Sequence, residues 1–288
     1  MIYEYLYLKN KIMIHILTVH WKDDRWIDIQ LKYLKRHINI SYKVYAFLND
    51  LPRDHRGKYF YSSTENIKSH AIKLNLLADM ATLHSVNPDD WLMFIDGDAF
   101  PVGNIVTFVS RHLGNYPLLA IQRKENIEDK QPHPSFCVTT VKFWNEINGD
   151  WKAGYSWKNS EGEMVTDVGG NLLEKLEKTN VEWYSMLRSN KNEMHDLWFG
   201  VYEEMIYHHG AGFRNTVSRI DLRDNRYLPS ISFKNKILNT LYDYCRKAEK
   251  KIIKKTVDKK NNALSEKVYQ NILNDTNFYL LFQDNGEK

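Results

Sequence analysis

The sequence predicts an α/β protein with a mainly parallel central sheet covered by helices on both faces. Short, nearly continuous apolar runs of strand length recur through the first half of the chain, and amphipathic segments with three- and four-residue apolar spacing separate them. The length, 288 residues without an internal repeat, suits one large domain with an appendage better than two equal halves.

Met13 to Val19 is an apolar run that reads as the first strand, and Trp26, Ile29, Tyr33 and Leu34 follow at helical spacing. Tyr42 to Leu48 reads as a second strand ending at Asn49-Asp50. Ser69 is an N-cap candidate for a helix through Ile72, Leu76, Met80 and Leu83. Trp91 to Ile95 is a third apolar strand running straight into Asp96-Gly97-Asp98. Ile105, Phe108, Val109 and His112 mark a short helix, and Pro117 to Gln122 a fourth strand. Beyond Arg123 the pattern loosens. Ser135 to Thr140 is strand-like, Val141 to Ile147 is helical, and an aromatic loop carries Trp151, Tyr155 and Trp157. Asp167 is expected to open a helix; Val181 to Leu187 and Trp198 to Tyr207 alternate like strands, and His208-His209-Gly210 closes the core. This order divides the chain into residues 1–232, a regularly alternating half at 13–123 followed by a looser half at 124–232, and a basic helical appendage at 233–288.

Forty Lys and Arg against 36 Asp and Glu leave a net charge of +4, which indicates neither disorder nor a polyelectrolyte. The basic excess lies after Phe233, away from any aromatic platform, so nucleic acid is not an expected partner. Two cysteines make neither a disulfide framework nor a thiolate metal site. Met1 to Lys11 carries Glu4, Lys9 and Lys11, and the chain has no run of ~18 apolar residues, so a cytoplasmic protein is expected. Aromatic residues reach 13%, enough for some rings to line a sugar or base site.

The sharpest chemical signal is WLMFIDGDAFPV, Trp91 to Val102. Two carboxylates at the end of a buried strand need solvent, hydrogen bonds or a cation, and Mg²⁺ or Mn²⁺ takes such oxygen ligands together with diphosphate oxygens. In open α/β sheets ligands bind beyond the carboxyl ends of strands, where Asp96 and Asp98 fall. With MIHILTV before this motif, TDVGGNLL after it and IYHHGAGFR late in the chain, the sequence resembles GT-A-type glycosyltransferases, nucleotide-sugar-dependent enzymes with a DxD metal motif.

The resemblance covers roughly residues 13–214 and implies a GT-A-like fold, with 13–123 as the nucleotide-sugar-binding half and 124–232 as the acceptor-binding half, and a set of roles. Asp96 would face the ribose and metal, Asp98 would coordinate the metal bridging the diphosphate, and His208 or His209 would add a ligand. A strand sends neighbouring side chains to opposite faces, so at most one histidine reaches the ion, and the glycines beside His209 favour that residue. Asp50 resembles the acid that contacts base or ribose, and it equally suits an Asx turn. Lys73 and Asn75 lie where the fold places base-contacting side chains, although a solvated helix face also fits Lys73. Arg123 and Arg214 are candidates for diphosphate neutralisation. Asp167 is the candidate to take the proton of an acceptor hydroxyl, with simple helix capping as the alternative. His133 to Phe136 and Trp151 to Trp157 are expected to wall the sugars.

The expected activity is metal-dependent transfer of a hexose-type sugar from a nucleotide sugar, a UDP-sugar favoured, to a saccharide hydroxyl in bacterial surface-polysaccharide synthesis. A metal-dependent nucleotidyltransferase and a non-catalytic nucleotide- or glycan-binding protein of the same fold are the alternatives; the first lacks a Gly-rich nucleotide loop after Val19. In the appendage, Ile237, Leu238, Leu241, Tyr244, Ala248, Ile252 and Ile253 interleave with lysines. The stripe is expected to pack on the catalytic domain; the alternative is peripheral contact with an anionic membrane that carries a lipid-linked acceptor.

Overall fold

The computed structural model describes residues 12–190, 195, 197–210, 216–229 and 231–282. The chain divides into two compact units, Met1–Gly212 with Tyr279–Lys288, and Phe213–Phe278.

The first unit is built on a seven-stranded sheet in the order β10-β6-β7-β4-β1-β2-β3. Its strands are β1 (Ile14–Trp21), β2 (Tyr42–Asn49), β3 (Tyr61–Ser63), β4 (Trp91–Asp96), β6 (Leu118–Ile121), β7 (His133–Thr140) and β10 (Tyr184–Met186). Pairings β1/β2, β1/β4, β2/β3 and β10/β6 are parallel, and β7 runs antiparallel between β4 and β6. The mainly parallel sheet flanked by helices is the α/β architecture that the sequence predicts.

Strand alternation sorts the apolar runs between two cores. Ile14, Ile16, Met93 and Ile95 face one side, where Leu34 of α1 (Arg25–His37) and Ile105, Val106 and Val109 of α3 (Ile105–Leu113) cover them. Leu17, Val19, Leu92 and Phe94 face the other, against Leu74, Leu77 and Ala81 of α2 (His70–His84), Trp144 of α4 (Val141–Glu146) and Leu172 and Leu176 of α5 (Gly170–Lys178). Ser69 caps α2 as its position predicts, its Oγ accepting the Ile72 amide at 3.3 Å.

Two small sheets complete the unit. β5 (Ala99–Pro101), β11 (Gly200–Tyr202) and β12 (Ile206–His208) form one, and β8 (Trp157–Lys158) pairs with β9 (Met164–Val165) in the other. The stretch expected as one strand, Trp198 to Tyr207, is therefore a hairpin, with Glu203 and Glu204 at positive φ in its turn. The aromatic wall also needs correction. Trp151 is fully buried and packs against Phe94 and Trp144, because the core between α4, α5 and the sheet is wide enough for indoles.

The second unit contains α6 (Arg219–Asp224) and the long α7 (Lys236–Asn274). Ser218 and Asp221 form a capping box at α6, and Thr216 and Asp221 reach Asp258 and Asn261 of α7. These contacts tie residues upstream of the composition shift at Phe233 to the helix. The apolar stripe expected to be buried is exposed in the first part of α7, while Ile253, Val257, Val268 and Ile272 are buried. Among the described residues no helix is long and apolar enough to cross a membrane.

Candidate functional site

The site grows from the carboxyl end of β4. Strand β4 pairs with β1 up to Val19 opposite Asp96, and the chain then turns through Gly97 and Asp98 into β5. The turn is pressed onto the end of β1: a Cβ at Gly97 would lie 2.5 Å from the Val19 carbonyl oxygen and 2.8 Å from His20 Nδ1. From beneath, fully buried Gln30 of α1 donates its side-chain amide to the Asp96 and Ala99 carbonyls, both at 2.8 Å. One helix side chain thus holds both ends of the turn. Gln30→Leu preserves bulk but leaves these acceptors short of a donor, and is expected to cost about 2 to 3 kcal/mol in thermal unfolding. An unchanged melting temperature would refute the clamp.

His208 arrives from the far end of the domain. In the small sheet β12 pairs antiparallel with β5, setting His208 opposite Ala99. Its Nε2 lies 3.4 Å from Asp98 Oδ1 and 3.6 Å from Asp96 Oδ2. The ligand atoms of Asp96, Asp98 and His208 all fall within 4.8 Å of one another. Two hard carboxylate oxygens and one imidazole nitrogen suit Mn²⁺ or Mg²⁺, which would keep positions for water and phosphate oxygens.

His209 takes the opposite face, so the preference for it over His208 is reversed. Its ring packs 4.5 Å from Trp26 and 4.9 Å from Phe199, and its Nδ1 is 2.9 Å from the Tyr207 hydroxyl. Burial pushes its pKa down to about 3, fixing it as a neutral core group. It supports the site through its backbone, whose N–H donates to the Asp98 carbonyl at 3.0 Å. Strand pairing, rather than the backbone freedom of the neighbouring glycines, decides which face each histidine takes.

The other expected residues divide. Asp50, with φ 54°, follows β2 and accepts the Trp21 indole N–H at 3.2 Å. Lys73 is buried rather than solvated; desolvation lowers its pKa, and nearby Asp50 opposes the shift. Trp21, Asp50 and Lys73 therefore gather beyond β1 and β2. Asn75 is committed elsewhere: its Nδ2 donates to Asp150 Oδ1 at 2.6 Å and its Oδ1 accepts the Trp151 amide at 3.0 Å. Its amide is satisfied by the loop it anchors, which corrects the base-contact expectation. Arg123 is buried, 4.0 Å from Glu125, which also accepts the Tyr202 hydroxyl at 2.6 Å. Its charge is placed against an internal carboxylate, in contrast to the open cation expected for a diphosphate. Arg214 lies outside the described residues.

Asp167 does not open a helix. α5 starts at Gly170 with Gly169 as N-cap at φ 93°, and Asp167 stands exposed on the preceding turn, its Oδ1 accepting the Val168 amide at 2.8 Å. That turn presses on the entry to β7, where a Cβ at Gly169 would lie 2.2 Å from the Pro132 carbonyl oxygen. The next residue, His133, has its ring 6.4 Å from that of His208. The Asp167 turn and the His208 ring therefore neighbour successive residues, Pro132 and His133, at the start of β7.

Sequence reasoning missed two residues. His70, the first residue of α2, places Nε2 3.3 Å from Asp96 Oδ1. Trp21, the last residue of β1, is 41% exposed although the strand before it is buried. Its place at the very end of the apolar run of β1 marks Trp21 in the sequence; no spacing signal points to His70.

A mainly parallel α/β sheet with an Asp-x-Asp turn at the end of β4, completed by a histidine from a late hairpin, defines the site as a carboxylate and imidazole cluster suited to a cation. Neither a protein-family model nor a curated protein sequence matches the chain. Among solved structures it is similar to the mannosyltransferase PcManGT from Pyrobaculum calidifontis in complex with GDP-Man and Mn²⁺, at 9% identity and a TM-score of 0.40, covering 62% of this chain and 57% of that one. It is also similar to the galactosyltransferase LgtC in complex with donor and acceptor sugar analogs, at 12% identity and a TM-score of 0.34, covering 59% and 72%. S. aureus TarS follows at 9% identity and a TM-score of 0.36, covering 49% and 30%. The chain thus spans between 30% and 72% of these proteins' lengths.

Proposed function

We propose that the protein is a metal-dependent glycosyltransferase that moves a sugar, from a UDP-sugar in the favoured case, to a hydroxyl of a saccharide acceptor in bacterial surface-glycan synthesis. The observation that carries this reading is the convergence of Asp96, Asp98 and His208 beyond the carboxyl end of β4. These residues would hold Mn²⁺ or Mg²⁺, whose charge offsets that gathering on a departing nucleoside diphosphate. Trp21, Asp50 and Lys73, beyond the neighbouring strands, offer a ring, an acceptor and a cation for the nucleoside.

In the transfer the acceptor oxygen bonds to the anomeric carbon, the bond from that carbon to the diphosphate oxygen breaks, and the hydroxyl proton passes to a base. Asp167 is the proposed base: it is exposed, on a turn braced against Pro132 just before β7, and its Oδ1 is oriented by the Val168 amide. Asp23 and Asp24 follow β1 where a nucleotidyltransferase would need a glycine-rich phosphate loop, which disfavours that alternative.

The test is a panel of UDP- and GDP-sugars with Mn²⁺, scored by thermal shift and slow donor hydrolysis. Stabilisation of about 3 kcal/mol is expected at a donor concentration near 100 times the dissociation constant, only with metal. Binding without hydrolysis or transfer would favour the non-catalytic alternative, and no metal-dependent binding of any donor would overturn the reading. Asp167→Asn is expected to bind donor like the wild type and lose transfer by about two to four orders of magnitude. Normal transfer by this variant would return Asp167 to a purely local role.

A further inference from the structure

The first part of α7 presents an apolar face to solvent. Ile237 is 72% exposed, Leu241 58%, Tyr244 73% and Ile252 67%. With Ala248, these positions step by four, three, four and four residues, so they form one continuous stripe, and Leu238 widens it.

The contacts α7 makes within its own unit lie on the other side. Asn239, Tyr242 and Glu249 bond the segment from Tyr227 to Phe233, and Asp258 and Asn261 bond Thr216. The buried positions Ile253, Val257, Asn261, Ser265, Val268 and Ile272 continue on that same side, about half a turn from the exposed stripe. The exposed stripe is thus a second apolar face on a helix that already has one buried.

We propose that this face binds the surface of an anionic lipid bilayer. Charge selects this occupant. From Lys236 to Lys260 there are nine Lys and Arg against three Asp and Glu, a local excess of +6 in a chain whose total is +4, so the remainder of the protein is net negative. Lys247, Lys251 and Lys255 recur at four-residue spacing along one flank of the stripe, where their stems can lie on apolar surface while the ammonium groups reach lipid phosphates. A second copy would bring like charge against like charge, whereas anionic headgroups complement the flank. The helix is too polar to span, so it lies in the interface plane. This inference does not rest on sugar transfer, since it is measured without donor or acceptor.

Sedimentation of the full chain with phosphatidylglycerol/phosphatidylcholine vesicles tests it. Binding is expected at low salt, release at high salt, and little binding to phosphatidylcholine alone. Leu241→Asp with Tyr244→Asp, both at exposed positions, is expected to weaken partitioning by about tenfold or more at an unchanged melting temperature. Lys247→Glu with Lys251→Glu leaves the apolar face intact and is expected to weaken it similarly while flattening the salt dependence. Three results would each overturn the proposal: no sedimentation at low salt, equal binding to phosphatidylcholine alone, or a solution dimer that Leu241→Asp dissociates, which would make the stripe a self-interface.

Discussion

Asp98→Asn is expected to abolish the thermal shift produced by Mn²⁺ and to lower turnover by about three orders of magnitude, while leaving the metal-free fold as stable as the wild type or slightly more so. The asymmetry follows from its surroundings. Asp98 is buried, 3.4 Å from His208 Nε2, and both groups converge with a second carboxylate, Asp96. Without a cation, two carboxylates in one partly dry site repel, and neutralising one relieves the repulsion at no cost in shape. With a cation, the same change removes a charged oxygen ligand and leaves an amide, a poorer partner for a hard ion. Differential scanning fluorimetry with and without Mn²⁺ separates the two effects. A variant that keeps both the metal-induced shift and its activity would show that Asp98 is no ligand. His208→Ala should reduce the shift in the same direction, whereas His209→Ala should lower stability through lost packing against Trp26 and Phe199.

Gly97→Ala is the other change with a large expected effect. The added methyl would meet the Val19 backbone oxygen at 2.5 Å, and backbone in the middle of a sheet cannot move aside as a side chain would. The turn must lift instead, against the grip of Gln30 on the Asp96 and Ala99 carbonyls. A loss of about 3 kcal/mol in stability is expected, together with weaker Mn²⁺ binding in the fraction that folds, because lifting the turn moves both carboxylates relative to His208. Wild-type melting and wild-type metal affinity in this variant would mean that the turn is not pressed on β1 as described.

Much of this arrangement was legible in the sequence because it depends on local periodicity. The apolar run ending at Asp96 put two carboxylates at a strand end without reference to any other part of the chain, and β4 ends there. Ser69 was legible as a cap because a hydroxyl before an apolar-periodic segment satisfies an orphan amide wherever the helix packs. The alternation of strands and helices sufficed for the sheet and its two covered faces.

What only the tertiary structure decided depends on pairing between distant segments. Choosing between His208 and His209 required the register of β12 on β5, which no local pattern encodes, since a one-residue slip would exchange the two faces. His70 meets Asp96 only because α2 starts beside the end of β4. Asn75 and Trp151 looked like site residues by type and became anchor and core because the aromatic loop folds back between α4 and α5. The first part of α7 shows the converse: its periodicity announced an apolar stripe, but an amphipathic pattern records only that a face is apolar. Whether protein or solvent meets that face depends on which other segments reach it, and here the contacts of the helix within its unit fall on the opposite side.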